Sequence, residues 1–327
     1  MIQPTLALNF GRTKQLDRRV NFTRSSTGVY TGFDGILRYA GIDEPRFEHD
    51  ASGNSLGLLI EPQRTNLVAY SQDFDNAYWQ KTIVIVSADS TMAPDGTTTA
   101  DKIIPTVDNT YHQASQVTTL ATDGTDIAAF SVYLKAGEYT KTSVRLGRAT
   151  TQTALVDLSA GEFIYVYSSV VDSSLTDVGG GWLRVFIRTD MSTLVGIQYA
   201  VIQPLDAAGN VTFAGDGTSG IYAWGAQVEV GATPSTYIPT TTAAVTRTAD
   251  SAEISGDPFA SWINTEGTLL AKYRDAGWLY NDTPPTDSLD LTKYIDDYST
   301  SAAGDVIERV LFYPRTLTAA QRGKIML

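Results

Sequence analysis

Between residues 66 and 245, apolar and polar positions alternate in short runs broken by Gly, Asp, Asn or Pro. A period of two marks a strand that buries one face and shows the other to solvent. Runs of this kind lie at 82–88, 100–105, 111–118, 127–135, 141–147, 153–157, 168–177, 182–189, 197–203 and 221–230. Within 129–135, Phe130, Val132 and Leu134 share one face, while Ala129, Ser131, Tyr133 and Lys135 share the other. Short strands at this spacing predict two antiparallel sheets packed as a jelly-roll β-sandwich.

The flanks read differently. Residues 1–65 hold turn signals at Asp34-Gly35 and at Ser52-Gly53-Asn54, with short extended pieces at 28–31 and 36–39. Their one strongly apolar run is 57–60, too little for a core of its own. The segment is therefore expected to pack on the next domain, a neighbouring subunit or a larger assembly. Residues 246–327 offer extended runs at 250–254, 268–273 and 306–312, and an acidic loop over 275–305. A short helix is expected in the last dozen residues, capped by Thr316 or Thr318. This part makes either a small subdomain or strands that complete a sheet elsewhere. The fold expected is all-β: an extended N-terminal attachment segment (1–65), the antiparallel jelly-roll sandwich (66–245) and a small C-terminal subdomain (246–327).

Composition narrows the chemistry. The 327 residues include no Cys and two His, His49 and His112. Disulfides, thiolate metal sites and a Cys nucleophile are excluded, and a His-rich metal site is close to excluded. The net charge of −12 argues against binding nucleic acid through its phosphates. It is unevenly spread: +1 over 1–65, −9 over 66–245 and −4 over 246–327. The first segment thus has its own electrostatic character, as an attachment segment would. No apolar run is long enough for a membrane helix, and the first residues lack the pattern of a signal peptide.

Candidate binding residues follow from the faces. Tyr111, His112 and Gln113 open a strand, and Arg145, Gln152 and Tyr199 lie on other expected strands. Aromatic and planar polar groups on an exposed sheet are what sugar recognition requires. The alternative is a plain solvated or intersubunit sheet face. Acidic pairs occur at Asp73/Asp75, Asp95/Asp101, Asp123/Asp126 and Asp296/Asp297. Two carboxylates at the right separation run glycoside hydrolysis, but turns also use Asp to cap their own backbone. Structural calcium is an option at Asp73, Asp75 and Asp95, although no run has EF-hand spacing. Gly179-Gly180-Gly181 lacks the Lys-Ser/Thr of a phosphate loop.

An ordered series of motifs carries a resemblance. It includes Asn21-Phe-Thr-Arg-Ser-Ser-Thr27, Glu44-Pro-Arg-Phe47, Leu58-Leu-Ile-Glu-Pro-Gln-Arg-Thr-Asn-Leu67 and Phe130-Ser-Val-Tyr-Leu-Lys-Ala-Gly137. It continues through Gly181-Trp-Leu-Arg184, Ile221-Tyr-Ala-Trp-Gly-Ala-Gln-Val-Glu229 and Tyr237-Ile-Pro-Thr240. Over about 1–254 the series resembles bacteriophage tail-fibre and head-fibre-like virion proteins. The resemblance implies an N-terminal attachment segment followed by a sandwich like a carbohydrate-binding module. Trp182 and Trp224 stand where such relatives also have aromatics, so Trp182 joins the candidate sugar-binding residues, against the alternative of a core position. Residues 307–321 resemble the end of the lectin-like sandwich of some relatives. Only about 60 residues separate them from Arg247, which implies a reduced remnant, and lectin activity is not carried over.

The expectation is a non-enzymatic virion protein with no catalytic residues, no metal and no cofactor beyond optional calcium. Its partners would be other virion proteins through residues 1–65, itself as a homotrimer, and a host-surface glycan. Nucleic acid and membrane insertion are not expected. The alternatives are a purely structural decoration, head-fibre or baseplate subunit, and a tail-borne glycan hydrolase.

Overall fold

A computed structural model of the chain describes residues 3–120, 127–190, 196–274, 277–292 and 305–326. The chain divides into two compact units, residues 64–247 and the two flanks together, 1–63 with 248–327.

The central unit is a sandwich of two six-stranded sheets. Its strands are β1 (Gln80–Thr82), β2 (Val84–Thr91), β3 (Ala100–Pro105), β4 (Gln113–Leu120), β5 (Ile127–Lys135) and β6 (Lys141–Leu146). They continue as β7 (Thr153–Asp157), β8 (Glu162–Val166), β9 (Val170–Asp177), β10 (Trp182–Asp190), β11 (Gly196–Leu205) and β12 (Ile221–Val230). The first sheet runs β9-β10-β5-β12-β3-β2 and the second β8-β7-β6-β11-β4-β1, with antiparallel pairing throughout. The chain changes sheet between β1 and β2, β3 and β4, β4 and β5, and β5 and β6. It changes again between β8 and β9, β10 and β11, and β11 and β12. Neither sheet is finished before the other begins.

The alternation read from the sequence explains the core. Phe130, Val132 and Leu134 of β5 point inward and meet Val144, Leu146, Ala200 and Ile202 of the second sheet. Phe74 and Trp79 join the same core with ring centroids 4.5 Å apart. Where β5 and β12 slip register, Gly225 is the extra residue of a bulge. Its φ is +62°, and a Cβ there would stand 2.9 Å from the Tyr133 ring. Both facts require glycine.

The flanks correct the three-part expectation. Residues 1–63 do find a partner, and it is the other end of the same chain. Asp305–Tyr313 pairs with Thr268–Tyr273 on one side, and with Ser55–Ile60 and Leu6–Asn9 on the other. Asn21–Thr23 and Ser288–Asp290 flank Ser251–Ser255 in a second, three-stranded sheet. Leu8, Phe22, Leu58, Ile254, Leu269 and Phe312 share one core. Neither flank is a module alone, because each supplies strands that the other needs to satisfy its backbone and cover its apolar face. The closing helix, Ala319–Ile325, starts at Thr318, whose hydroxyl accepts from Gln321 N while its own N–H donates to Gln321 Oε1.

A buried ion network binds the two flanks. Asp250 Oδ2 accepts from Arg46 Nη2 at 2.6 Å and from the Glu61 N–H at 2.8 Å. Asp250 Oδ1 accepts from Arg24 Nη1 at 3.1 Å, and Arg46 Nη1 reaches Glu61 Oε2 at 2.6 Å. Burial opposes the Arg46 charge, yet Glu61 and Asp250 more than offset it and its pKa is raised. Arg24, Arg46 and Glu61 all belong to the motifs that carry the family resemblance.

Candidate functional site

Burial decides which face of the sandwich is open to a ligand. The outer face of the first sheet is roofed by residues 235–240 of the same unit. Tyr237 lies against Trp224 at 4.7 Å, and Trp224 against Tyr133 at 5.3 Å. Ile238 N donates to Gln227 Oε1 at 2.6 Å, and the buried Glu229 accepts from Ser235 N at 3.0 Å. Burial raises the Glu229 pKa. The outer face of the second sheet carries a groove of about 600 Å³.

Strand alternation builds the floor. Val144, Leu146 and Ile202 point into the core, so Ser143, Arg145 and Gln203 point out. Register places Ser143 opposite Gln203 and Arg145 opposite Val201. The Ser143 hydroxyl donates to Gln203 Oε1 at 3.1 Å. That bond orients the amide and leaves its Nε2 without a protein partner among the described residues.

On the β4 side stand Tyr111 and Asn210. The short pair Thr110–Tyr111 and Thr212–Phe213 places Tyr111, and the Asp206 carboxylate holds the turn that carries Asn210. On the β7 side stand Thr153 and Tyr167, joined by Tyr167 N donating to Thr153 O at 3.0 Å. Tyr165 packs edge-on against Tyr167 at 4.7 Å. Tyr111 is 47% exposed and Tyr167 36%, so the groove has an aromatic ring on each side.

Arg145 sets the electrostatics. No carboxylate among the described residues lines the groove. Among the described residues Arg145 has neither an ion pair nor a hydrogen bond, and its Nε is buried. Burial alone pushes its pKa down, with no anion to counter it. Arg24 and Arg46, by contrast, reach carboxylates through their Nη groups.

Of the residues expected from the sequence, Tyr111, Gln113 and Arg145 meet in this groove. His112, Gln152, Trp182, Trp224 and Tyr199 do not line it. His112 is fully buried, its ring nitrogens 2.7 Å from Ile83 O and 2.9 Å from Phe213 O, so it fastens two loops. Gln152 is buried too, and its Oε1 accepts from Ala149 N at 2.9 Å across a turn beside the groove. Trp182 belongs to the first sheet, where it is 3% exposed and its Nε1 donates to Met92 O. Trp224 is a core residue as well. Tyr199 is half-buried on the groove-bearing face, paired with Val117 one step beyond Arg145. The sequence reading missed Tyr167, Ser143 and Gln203. Outward alternation marks Ser143 with Arg145 and Gln203 with Tyr199, and nothing local marks Tyr167.

The acidic residues serve turns and loops. Asp101 is buried and accepts from Phe74 N at 2.7 Å, Asp75 N at 3.3 Å and Asp89 N at 3.0 Å. Burial pushes its pKa up to about 6. Asp95 caps its own turn through Thr97. The calcium option at Asp73, Asp75 and Asp95 gains no footing, for no cluster of three or more such ligands occurs among the described residues. Asp123/Asp126 and Asp296/Asp297 lie outside the described residues.

No protein-family model and no curated protein matches the sequence. Among solved structures, the chain is similar to a protein from Bacteroides thetaiotaomicron described as a candidate sugar-binding protein. The identity is 11% and the TM-score 0.26, over 50% of this chain and 94% of that one. So low a score carries no argument, and the fold stands on strand order and register.

Proposed function

We propose that this chain is a non-enzymatic phage virion protein, a fibre or receptor-binding component, whose sandwich binds glycan in the groove of the second sheet. The observation that carries the binding role is the groove itself. Tyr111 and Tyr167 flank a polar floor of Ser143, Arg145 and Gln203, and hydroxyls, amides and ring faces are the groups that hold a sugar. The virion setting is supported by the motif series shared with fibre-like proteins. Residues 1–63 complete their sheets within the chain, so attachment to other virion proteins falls to exposed surface. Phe33, Tyr39 and Ile42, on and beside the hairpin of Gly28–Thr31 and Leu37–Ala40, are 72%, 48% and 64% exposed.

The test joins a reconstruction of the virion to a glycan array. Three copies on a distal axis with the groove facing outward, together with glycan retention lost in Tyr167→Ala, are the expected result. Many copies lying flat with the groove covered by a neighbour would overturn the receptor role and leave a decoration protein.

A further inference from the structure

We infer that the groove selects an acidic sugar, a residue bearing a carboxylate such as a uronic or sialic acid, and that Arg145 is the group that reads it. This inference rests on the glycan-binding role and deepens it.

The argument starts from what an arginine needs. A guanidinium carries five N–H donors in a planar fork and stays charged. Arg145 is half-buried with its Nε out of water, and a buried unpaired donor is unfavourable, so an anion or further acceptors in the groove would stabilise it. In this chain, Arg24, Arg46 and Arg184 all reach carboxylate, hydroxyl or carbonyl oxygens. Arg145 has none of these among the described residues, although the chain carries 36 acidic side chains. Its strand neighbour across the floor is Val201, which offers no side-chain acceptor. Thr153, opposite it on the next strand, offers a neutral hydroxyl that makes no hydrogen bond to it, and among the described residues the groove lining holds no carboxylate. The pleat therefore holds a cation in a groove whose walls supply no counter-anion.

A carboxylate on a sugar matches that fork in a planar, two-point way, whereas a neutral pyranose offers only hydroxyls. Gln203 Nε2 and the Tyr111 and Tyr167 rings are then placed for the rest of the sugar. Charge-assisted hydrogen bonds from one guanidinium correspond to about tenfold or more in affinity. The central unit is acidic in net terms, −9 over residues 66–245, so a polyanion is repelled at long range. The preference expected is for a carboxylate presented at the groove itself, not for negative charge in general.

The test uses the full chain and matched probes. Sialyllactose is titrated against lactose, and oligogalacturonate against its carboxyl-reduced form, with a sulfated galactan oligomer as the other anion. The result expected is at least about tenfold tighter binding of one carboxylated probe than of its neutral partner. Arg145→Gln should erase that difference, and Arg145→Lys should restore only part of it. Equal binding of acidic and neutral partners overturns the inference, and so does a preference for the sulfated probe. If neutral sugars bind and Tyr167→Ala abolishes it, the glycan role stands while the acidic selectivity falls. If no probe binds, both fall. The comparison of carboxylated with reduced probe needs no variant, so it decides even if Arg145→Gln fails to fold.

Discussion

Replacing Asp250 with Asn tests whether the buried ion network holds the flanks together. The substitution keeps the shape and one acceptor, but removes the anion shared by Arg24 and Arg46. Both arginines lose that charge while their side chains stay fully buried, and Arg46 keeps its bond to Glu61. One amide hydrogen also turns toward a cation. Breaking a buried pair by removing one partner costs about 3–5 kcal/mol. Arg24 keeps its bonds to Gly41 O at 2.6 Å and Ser26 O at 2.8 Å, which points to the lower end, about 3 kcal/mol. For a unit of this size that lowers its melting temperature by roughly 6–12 °C. Scanning calorimetry gives the shift, and hydrogen exchange read by mass spectrometry gives its place. Exchange should quicken in Arg46–His49 and Ser55–Ile60 and stay slow in the strands of residues 64–247. A shift under about 2 °C, or faster exchange in the central sandwich instead, would refute the reasoning.

Further outcomes follow from the same structure. Tyr167→Ala and Tyr111→Ala should each weaken glycan retention about tenfold while leaving the melting temperature nearly unchanged, by titration calorimetry and fluorimetry. His112→Leu should act the other way. It should destabilise the sandwich by about 2 kcal/mol, since a buried carbonyl loses the ring N–H that serves it, and leave the affinity of the folded fraction intact. Asp101 gives a pH signature. Burial raises its folded-state pKa to about 6, above the ordinary 3.8, so the native state holds the proton more tightly. Its contribution is therefore complete below about pH 4 and lost as pH rises through 6, up to about 3 kcal/mol. Asp101→Asn should flatten that part of the stability profile in urea titrations run from pH 4 to 7.

Much of the fold was legible because alternation is a local signal. The runs at 100–105, 127–135, 153–157, 221–230 and 268–273 match the strands residue for residue. Thr318 announced its helix because a cap acts within one turn. The site was half legible. Alternation sends Arg145 outward, whereas the family resemblance put forward Trp182, on a face that residues 235–240 and Met92 cover from afar in sequence. The burial of each position depended on what closes over it, which no neighbouring residue records.

The sequence alone determined most strands of the central unit, the inward and outward faces of those strands, and the absence of any cysteine chemistry. Tertiary structure alone decided that the two ends of the chain make one unit, because strand pairing across some 250 residues leaves no periodic trace. It alone decided that His112, Gln152 and Trp182 are structural while Tyr167 is exposed at a groove. And it alone left Arg145 without an anion, since whether a charge is paired depends on which side chains the sheet register brings beside it.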